Sequence, residues 1–378
     1  MGGELKNSPP ISKMADIILS AFVFLSTVAY GLSDPSKDAS WTLVKFNIYF
    51  MHFAAMALLI FSIFARPERK IKPMLAIWLL GIGILNVVFN QFDQLVMSSF
   101  INIFFWVMGL YVAVNYIENP HKIKQFIIWA AIVNIYAYVF QKFGWNPMLN
   151  TGLTTGEEGG VMGNMASLST FLAITLPFLP AVGIIFCLIL GVVGKELGLL
   201  VACAIVIAFK INRLRHPKKN TIIAIIMGAL TIFFIIDFYE VIKFHIIETL
   251  INVSMKNRIG LWRGMLDMAF RNIWVGYGLG QRPIIPSGPE EFTRYDYALS
   301  SFIQFFYSVG FAGIAFIIFG LKQFKERFNF SAEAVSILIF IALCIFKYPV
   351  EVPRIWLTLM VIIALFIIDT DKGDLLCS

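Results

Sequence analysis

Positively charged residues in one polar stretch of this chain are placed to bind an anionic group. The stretch covers residues 239–297 and contains RIGLWRGMLDMAFRNIWVGYGLG, residues 258–280. Arg258 stands where a helix is predicted to begin, and the positive end of a helix dipole does not stabilise a cation. The position therefore favours an anionic partner for Arg258, and a diphosphate is a suitable one.

The same stretch predicts an amphipathic helix over residues 258–273. Apolar residues recur on one side of it at helical spacing; they are Ile259, Trp262, Leu266, Phe270 and Ile273. The opposite side carries Arg263, Asp267 and Arg271, at the spacing that forms salt bridges along a helix. The pattern leaves open whether Arg263 and Arg271 serve the helix itself, a membrane interface or lipid headgroups.

Three glycines follow this helix, at positions 276, 278 and 280. Phosphate-binding glycine loops follow a strand and open a helix, whereas this run follows a helix. The glycines therefore predict a tight backbone turn, which their conformational freedom allows, and not a nucleotide site.

Other constellations that carry chemistry are not legible in the sequence. The four histidines are isolated, at positions 52, 121, 216 and 245, and there is no HExxH motif. The four cysteines lie in or beside apolar segments without CxxC spacing. The sequence therefore favours neither a metal site nor a disulfide framework, and we expect no metal and no cofactor.

Apolar helices are the elements that must hold the polar stretch. Of the 378 residues, 59% are hydrophobic and 14% are charged, and the mean hydropathy is +0.80, whereas soluble domains carry about 25% charged residues. Apolar runs long enough to cross about 30 Å of hydrocarbon recur along the chain. We therefore predict an all-α fold, a polytopic helical membrane protein with a single membrane domain, residues 1–378, and one large external loop, residues 239–297.

About twelve transmembrane helices are predicted. Their approximate ranges are 15–32, 43–65, 73–89, 95–117, 123–142, 165–179, 181–194, 196–210, 220–238, 298–320, 331–347 and 353–369. Most Lys and Arg residues lie in the two tails and four loops, 66–72, 118–124, 210–220 and 321–327. Because short basic loops stay in the cytoplasm, both termini are predicted to be cytoplasmic and the long loop periplasmic. The same rule accounts for the net charge of +7 without nucleic-acid binding.

The region between residues 165 and 210 must cross the membrane an odd number of times. Two prolines and two glycines divide it into three short segments. Short, interrupted helices at membrane depth are tolerated only against protein or a water-filled cavity. This region is therefore a candidate cavity wall, with Lys195 and Glu196 on the same side as the long loop.

Three stretches resemble the O-antigen ligase and polymerase superfamily, membrane glycosyltransferases that act on undecaprenyl-diphosphate-linked glycans. Residues 159–180 are similar to the family's Gly-Asn-rich start of a span that ends at proline. Residues 258–280 are similar to its Arg–x3–Trp helix and Gly-x-Gly turn, and residues 298–316 to its following span. The resemblance in sequence covers about residues 150 to 320. The rest of the chain resembles the family only in the order of its predicted spans.

The resemblance implies glycan transfer on the outer face of the bacterial cytoplasmic (inner) membrane, without a nucleotide sugar or a metal. The lipid carrier's diphosphate is the leaving group, so cations must stabilise its developing charge. Arg258 matches the family's loop arginine, and Lys195 stands where ligases commonly carry an arginine. Charge and loop position add Arg263, Arg282 and Arg294 as diphosphate-binding candidates. The implied partners are the undecaprenyl-diphosphate-linked glycan, membrane lipid and a chain-length regulator.

One departure from the family's pattern bears on the type of reaction. Ligases carry a His-Asn type pair at the start of the span that follows the long loop. Counting back from Gly310, those positions are Leu299 and Ser300, and the histidine is absent. The departure favours a polymerase that joins lipid-linked oligosaccharide repeat units of an O-antigen, capsule or exopolysaccharide.

Glu196 and the consecutive residues Tyr295, Asp296 and Tyr297 are the candidates for assisting the acceptor hydroxyl. The predicted catalytic set is Arg258, Lys195, Glu196 and Tyr297. Three other interpretations stay open. The first is a ligase that moves a finished glycan to lipid A-core or to a protein. The second is a transporter, which the short interrupted helices would fit. The third is a non-catalytic homologue that binds the lipid carrier, which the missing histidine would fit.

Overall fold

A computed structural model of the chain describes residues 16–18, 56, 60, 74–91, 93–144, 165–194, 196–213, 255–281, 284–286, 292–294, 300–346 and 353–377. Its helices are α1 Met74–Phe89, α2 Gln94–Tyr116, α3 Pro120–Lys142, α4 Met165–Thr175, α5 Ala181–Val193, α6 Leu197–Arg213, α7 Met255–Arg271, α8 Ser301–Val309, α9 Phe311–Glu326, α10 Ala332–Phe346 and α11 Pro353–Cys377. A 3-10 turn, Leu176–Phe178, follows α4, and two short strands, β1 Ile284–Pro286 and β2 Phe292–Arg294, pair antiparallel. The predicted all-α class is confirmed.

Two segments of the described helices are long and apolar enough to cross a membrane, Ser99–Tyr116 in α2 and Pro120–Lys142 in α3. Six shorter apolar segments accompany them, in α1, α4, α5, α6, α10 and α11. The predicted span 220–238, and most of the spans 15–32 and 43–65, lie outside the described residues. The number of about twelve spans therefore stays a prediction.

Helix α4 lies at the centre of the bundle. Its residues from Ser167 to Thr175 are all buried, and it packs against α3, α6, α10 and α11. Its hydroxyl groups bond within the helix: Thr170 Oγ1 donates to the carbonyl of Ala166 at 2.8 Å and Thr175 Oγ1 to that of Phe171 at 3.0 Å. A helix that is buried on every side can thus carry polar side chains, because its own carbonyls accept their hydrogen bonds.

The three short helices predicted between residues 165 and 210 are present as α4, α5 and α6. A Cβ added at Gly194, directly after α5, would collide with the side chain of Met165 at the start of α4. Glu196 then precedes α6, and its carbonyl accepts the first backbone hydrogen bonds of that helix. The start of α4, the end of α5 and the start of α6 therefore meet at one place.

Polar contacts mark one end of the bundle, here termed the tail end. Lys124 Nζ lies 2.5 Å from Glu333 Oε1 and 3.1 Å from Asp369 Oδ2, which joins the starts of α3 and α10 to α11. Asp16 accepts a hydrogen bond at this end from the backbone N–H of Glu118 at 3.1 Å. The tail end therefore brings together segments from both ends of the sequence and one of its predicted basic loops, residues 118–124.

The opposite end, here termed the loop end, is where α10 finishes. Ser300 Oγ donates to the carbonyl of Cys344 at 3.4 Å, so the start of α8 lies beside the end of α10. The end of α8 lies beside the end of α1, because Asn86 Nδ2 donates to the carbonyl of Ser308 at 3.1 Å. Helix α8 therefore lies across the loop end, with α7 packed against it.

The span predicted over residues 298–320 is not a single helix. Gly310, with a φ of +64°, separates α8 from α9. The rings of Phe305 and Phe316 lie 5.7 Å apart, although a continuous helix would hold these residues about 16 Å apart. The chain therefore folds back at Gly310, and this corrects the prediction of one span for that segment.

Candidate functional site

The helix of the predicted external loop, α7, packs on α8 through a narrow apolar stripe. Leu261, Met265 and Ala269 are buried, and they form one cluster with Phe306 of α8. The predicted apolar face was wrong in part, because Phe270 belongs to it and is 61% exposed. The buried stripe lies one residue earlier in the chain than the predicted one.

The charged side of α7 faces away from this stripe. Arg263, Asp267 and Arg271 are all exposed. The predicted salt bridges are absent: among the residues that the structure describes, no ion pair joins either arginine to Asp267. Both arginines therefore present their charge outward.

Arg258 lies on a different face of α7 from these two arginines. An α-helix turns by about 100° per residue, so position 258 falls within about 20° of Met265 and of Ala269. Those two residues are buried, whereas Arg263 and Arg271 are each about 140° away from position 258. The backbone therefore places Arg258 in the first turn of α7, in register with the residues that pack on α8 further along the helix.

Helix α7 is followed by a turn whose backbone touches the break between α8 and α9. Gly276 has a φ of +71° and Gly310 one of +64°. A Cβ added at Gly276 would collide with backbone atoms of Ser308, and one added at Gly310 would collide with the carbonyl oxygen of Ile273. Only glycine combines this backbone conformation with so close an approach, and the tight turn predicted after the helix is what the structure has.

Asn86 of α1 fastens this turn with three hydrogen bonds, and the contact is here termed the clasp. Its Nδ2 donates to the carbonyls of Val275 at 3.3 Å and Ser308 at 3.1 Å. Its Oδ1 accepts from the backbone N–H of Leu279 at 2.8 Å. Asn86 is 3% exposed, and a buried amide is tolerated when its donors and acceptor are all used in this way.

Further polar contacts surround the clasp. Gln304 Nε2 donates to the carbonyl of Gln281 at 3.2 Å, and Gln281 Nε2 donates to Asp93 Oδ1 at 2.8 Å. The rings of Tyr277 and Tyr307 stack at 4.9 Å with an interplanar angle of 12°. These contacts fix the C-terminal end of α7 relative to α1 and α8.

The other predicted site residues are placed as follows. Lys195, Arg282 and Tyr297 lie outside the described residues. Arg294 lies in β2, where its backbone pairs with Ile284. Glu196 is half-buried between α5 and α6. Arg263 is exposed on α7, and Arg258 occupies the bundle-facing register described above.

Sequence reasoning missed the polar residues of the clasp. A signal was present, since Asn86 interrupts the otherwise apolar helix α1, and a polar residue within such a segment has a partner or a function. Its partner, the backbone of Leu279, lies 193 residues further along the chain. Ser300, at the position of the family's His-Asn pair, is buried and bonded to α10, while Leu299 lies outside the described residues.

In the described part of the chain, no group of three or more His, Cys, Asp or Glu residues could hold a metal ion. No protein-family model and no curated protein sequence matches the chain. The described residues form an all-α fold in which the clasp holds the turn after α7, the helix of the predicted external loop.

Proposed function

We propose that the protein is a metal-independent membrane glycosyltransferase that joins undecaprenyl-diphosphate-linked oligosaccharide repeat units. In this proposal about twelve helices span the bacterial cytoplasmic membrane. The loop end faces the periplasm, and the tail end and both termini face the cytoplasm. The observation that carries the proposal is the position of Arg258, in the first turn of α7 on its bundle-facing side.

The polar contacts support this orientation. The starts of α3 and α10 meet at the tail end. Lys124 belongs to the short basic loop 118–124, which favours the cytoplasm, and α10 begins a few residues after the basic loop 321–327. Asp93 and Gln281 meet at the loop end. They belong to the segments that the same rule assigns to the outside, so the contacts agree with the charge pattern at both ends.

The proposed reaction transfers a growing glycan from its carrier to another lipid-linked unit. The acceptor hydroxyl oxygen bonds to the anomeric carbon, the bond from that carbon to the diphosphate oxygen breaks, and the carrier leaves with its diphosphate. Arg258 would stabilise the charge that develops on the diphosphate. Further candidates for this task are Lys195, Arg263, Arg282 and Arg294. Glu196 and Tyr297 are the candidates for taking the hydroxyl proton.

Substitution of Arg258 by Ala tests the proposal, and Arg327→Ala, an exposed arginine after α9, is the control. We expect R258A to remove long-chain glycan in cells that depend on this protein, because the developing charge on the diphosphate loses its cation. Gel electrophoresis measures the chain length, and immunoblotting of membranes measures the protein level. R327A should leave both unchanged. Wild-type chain length in R258A at a normal protein level would contradict the proposed site.

The glycan that accumulates on the carrier separates a polymerase from a ligase. Deletion of a polymerase leaves single repeat units on the carrier, since no step joins them. Deletion of a ligase leaves finished polymer there. Mass spectrometry of the lipid-linked glycan therefore decides between the two reactions.

A further inference from the structure

Three large aromatic side chains lie exposed around the end of α7 and the start of α9, and they are here termed the aromatic patch. Phe270, Trp274 and Phe311 are 61%, 77% and 51% exposed. The rings of Trp274 and Phe311 lie 6.1 Å apart, and Phe270 stands in the last turn of α7, just before the turn that carries Trp274. Exposed apolar side chains gathered at one place mark an interaction surface.

The aromatic patch continues an apolar surface on α1 and α9. These helices pack together, with the rings of Trp78 and Phe319 5.5 Å apart. Exposed apolar side chains run along both helices, among them Leu85, Val88, Phe89, Ile318 and Leu321. Phe311 is the first residue of α9, so it belongs to the patch and to this surface at once.

Helix α9 has the residue distribution of a helix in contact with lipid. No charged residue occurs from Phe311 to Leu321, whereas Lys322 and Lys325 follow and are exposed. By helical rise, Phe311 and Lys325 are about 21 Å apart, which is most of a hydrocarbon layer of about 30 Å. The aromatic patch thus stands at one boundary of the apolar surface and lysines stand at the other, as in aromatic belts with basic residues opposite.

Positive charge accompanies the patch. Arg263 and Arg271 are exposed on the side of α7 that carries Phe270, within about 100° of that residue by helical register. Phospholipid headgroups carry phosphate, which complements these two guanidinium groups. A helix with aromatic and basic side chains on one exposed side lies in the interface of a bilayer.

We infer that the C-terminal end of α7 docks on the phospholipid bilayer at the loop end, with the aromatic patch in the boundary between headgroups and acyl chains. The inference rests on the membrane location in the proposed function and is independent of the glycan-transfer reaction. Helix α7 then has two partners. The side that carries Met265 packs on α8, and the C-terminal end, with Trp274 in the turn that follows, contacts lipid. Arg258 lies about 18 Å from Phe270 along the helix axis, away from this contact.

Site-directed spin labelling tests the contact in the full-length protein, reconstituted into phosphatidylcholine–phosphatidylglycerol vesicles. Single cysteines replace Phe270 and Trp274 in the patch. Gly260→Cys, exposed near the other end of α7, is the control for water, and Ile318→Cys, exposed on α9, is the control for lipid. Cys377 is replaced by Ser in every variant, and the native Cys187, Cys203 and Cys344 are buried.

We expect oxygen to reach the labels at positions 270 and 274 more often than a water-soluble nickel chelate does, as at position 318. The opposite order is expected at position 260. Nickel access equal to or above oxygen access at either patch position, with position 318 still in lipid, would overturn the docking alone. Nickel access at position 318 as well would overturn the membrane location. Chain length in R258A tests the reaction separately, so the failures of the two proposals are distinguishable.

Discussion

Replacing Asn86 by Leu removes the side chain that closes the clasp while keeping a similar volume. Three backbone groups lose a hydrogen bond, on Val275, Ser308 and Leu279. The carbonyl of Ser308 keeps a bond from the N–H of Gly278 at 2.9 Å, so the loss falls mainly on the other two groups. Each group left unpaired costs about 1–3 kcal/mol, so the two together should make opening of the turn easier by about 2–6 kcal/mol.

Hydrogen exchange measured by mass spectrometry reports this opening at the amides of residues 276–281. Exchange through a local opening accelerates tenfold for each ~1.4 kcal/mol, so we expect an increase of about 30-fold to about 10⁴-fold. Asn134→Leu is the matched control. Asn134 is fully buried on α3, its Nδ2 donates within its own helix at 2.9 Å, and its Oδ1 has no hydrogen-bond partner among the residues that the structure describes.

Because the side chain of Asn134 bonds within its own helix, N134L should leave exchange of the turn unchanged. Its effect on overall stability should be neutral or favourable, since the oxygen it removes is buried and has no partner in the described part of the chain. Wild-type protection of residues 276–281 in N86L would refute the reasoning. So would an equal acceleration in N134L, because the effect would then come from a general loosening of the bundle.

Three further substitutions test individual contacts through the unfolding temperature of the purified protein. Gly276→Ala should lower stability by more than about 2 kcal/mol, because the left-handed backbone alone strains an alanine by about 1–2 kcal/mol and the Cβ also meets backbone atoms. Gly260→Ala should raise stability by about 0.5–1 kcal/mol, because no atom of the described residues lies within 4 Å of its added Cβ; an unchanged or lower unfolding temperature would count against that. Glu333→Gln should lower stability by about 1–3 kcal/mol, because it weakens the contact between a 2% exposed carboxylate and Lys124. Its control is Glu326→Gln, at an exposed glutamate, which should change stability by less than about 1 kcal/mol.

Features set by neighbouring residues could be read from the sequence. The three short helices between residues 165 and 210 follow from prolines and glycines, which act on their own stretch of backbone. The turn after α7 follows in the same way from its three glycines. The sequence does not decide which side of α7 is buried, because the residues in line with Leu266 and the residues in line with Met265 are both apolar. Packing against α8 decides between them.

Features set by distant segments could not be read from the sequence. The run from residue 298 to 320 is apolar enough for a span, and only the contact of Gly310 with the backbone of Ile273 explains why it divides. Asn86 was visible as a polar residue in an apolar helix, but its partners come from two other regions of the chain. A single sequence contains no signal that pairs them.

The proposed role of Arg258 depends on contacts made by later residues of α7 and by the turn that follows it. A slip of α7 by one residue would turn the helix by about 100° and move position 258 off the bundle-facing side. The buried stripe of Leu261, Met265 and Ala269 opposes such a rotation, because it would expose these side chains. The turn after α7 opposes a slip along the axis, because Gly276 lies directly against the backbone at the break between α8 and α9 and because the clasp holds the same turn. The register of α7 is therefore fixed from its C-terminal end, and the arginine at its start takes its position from there.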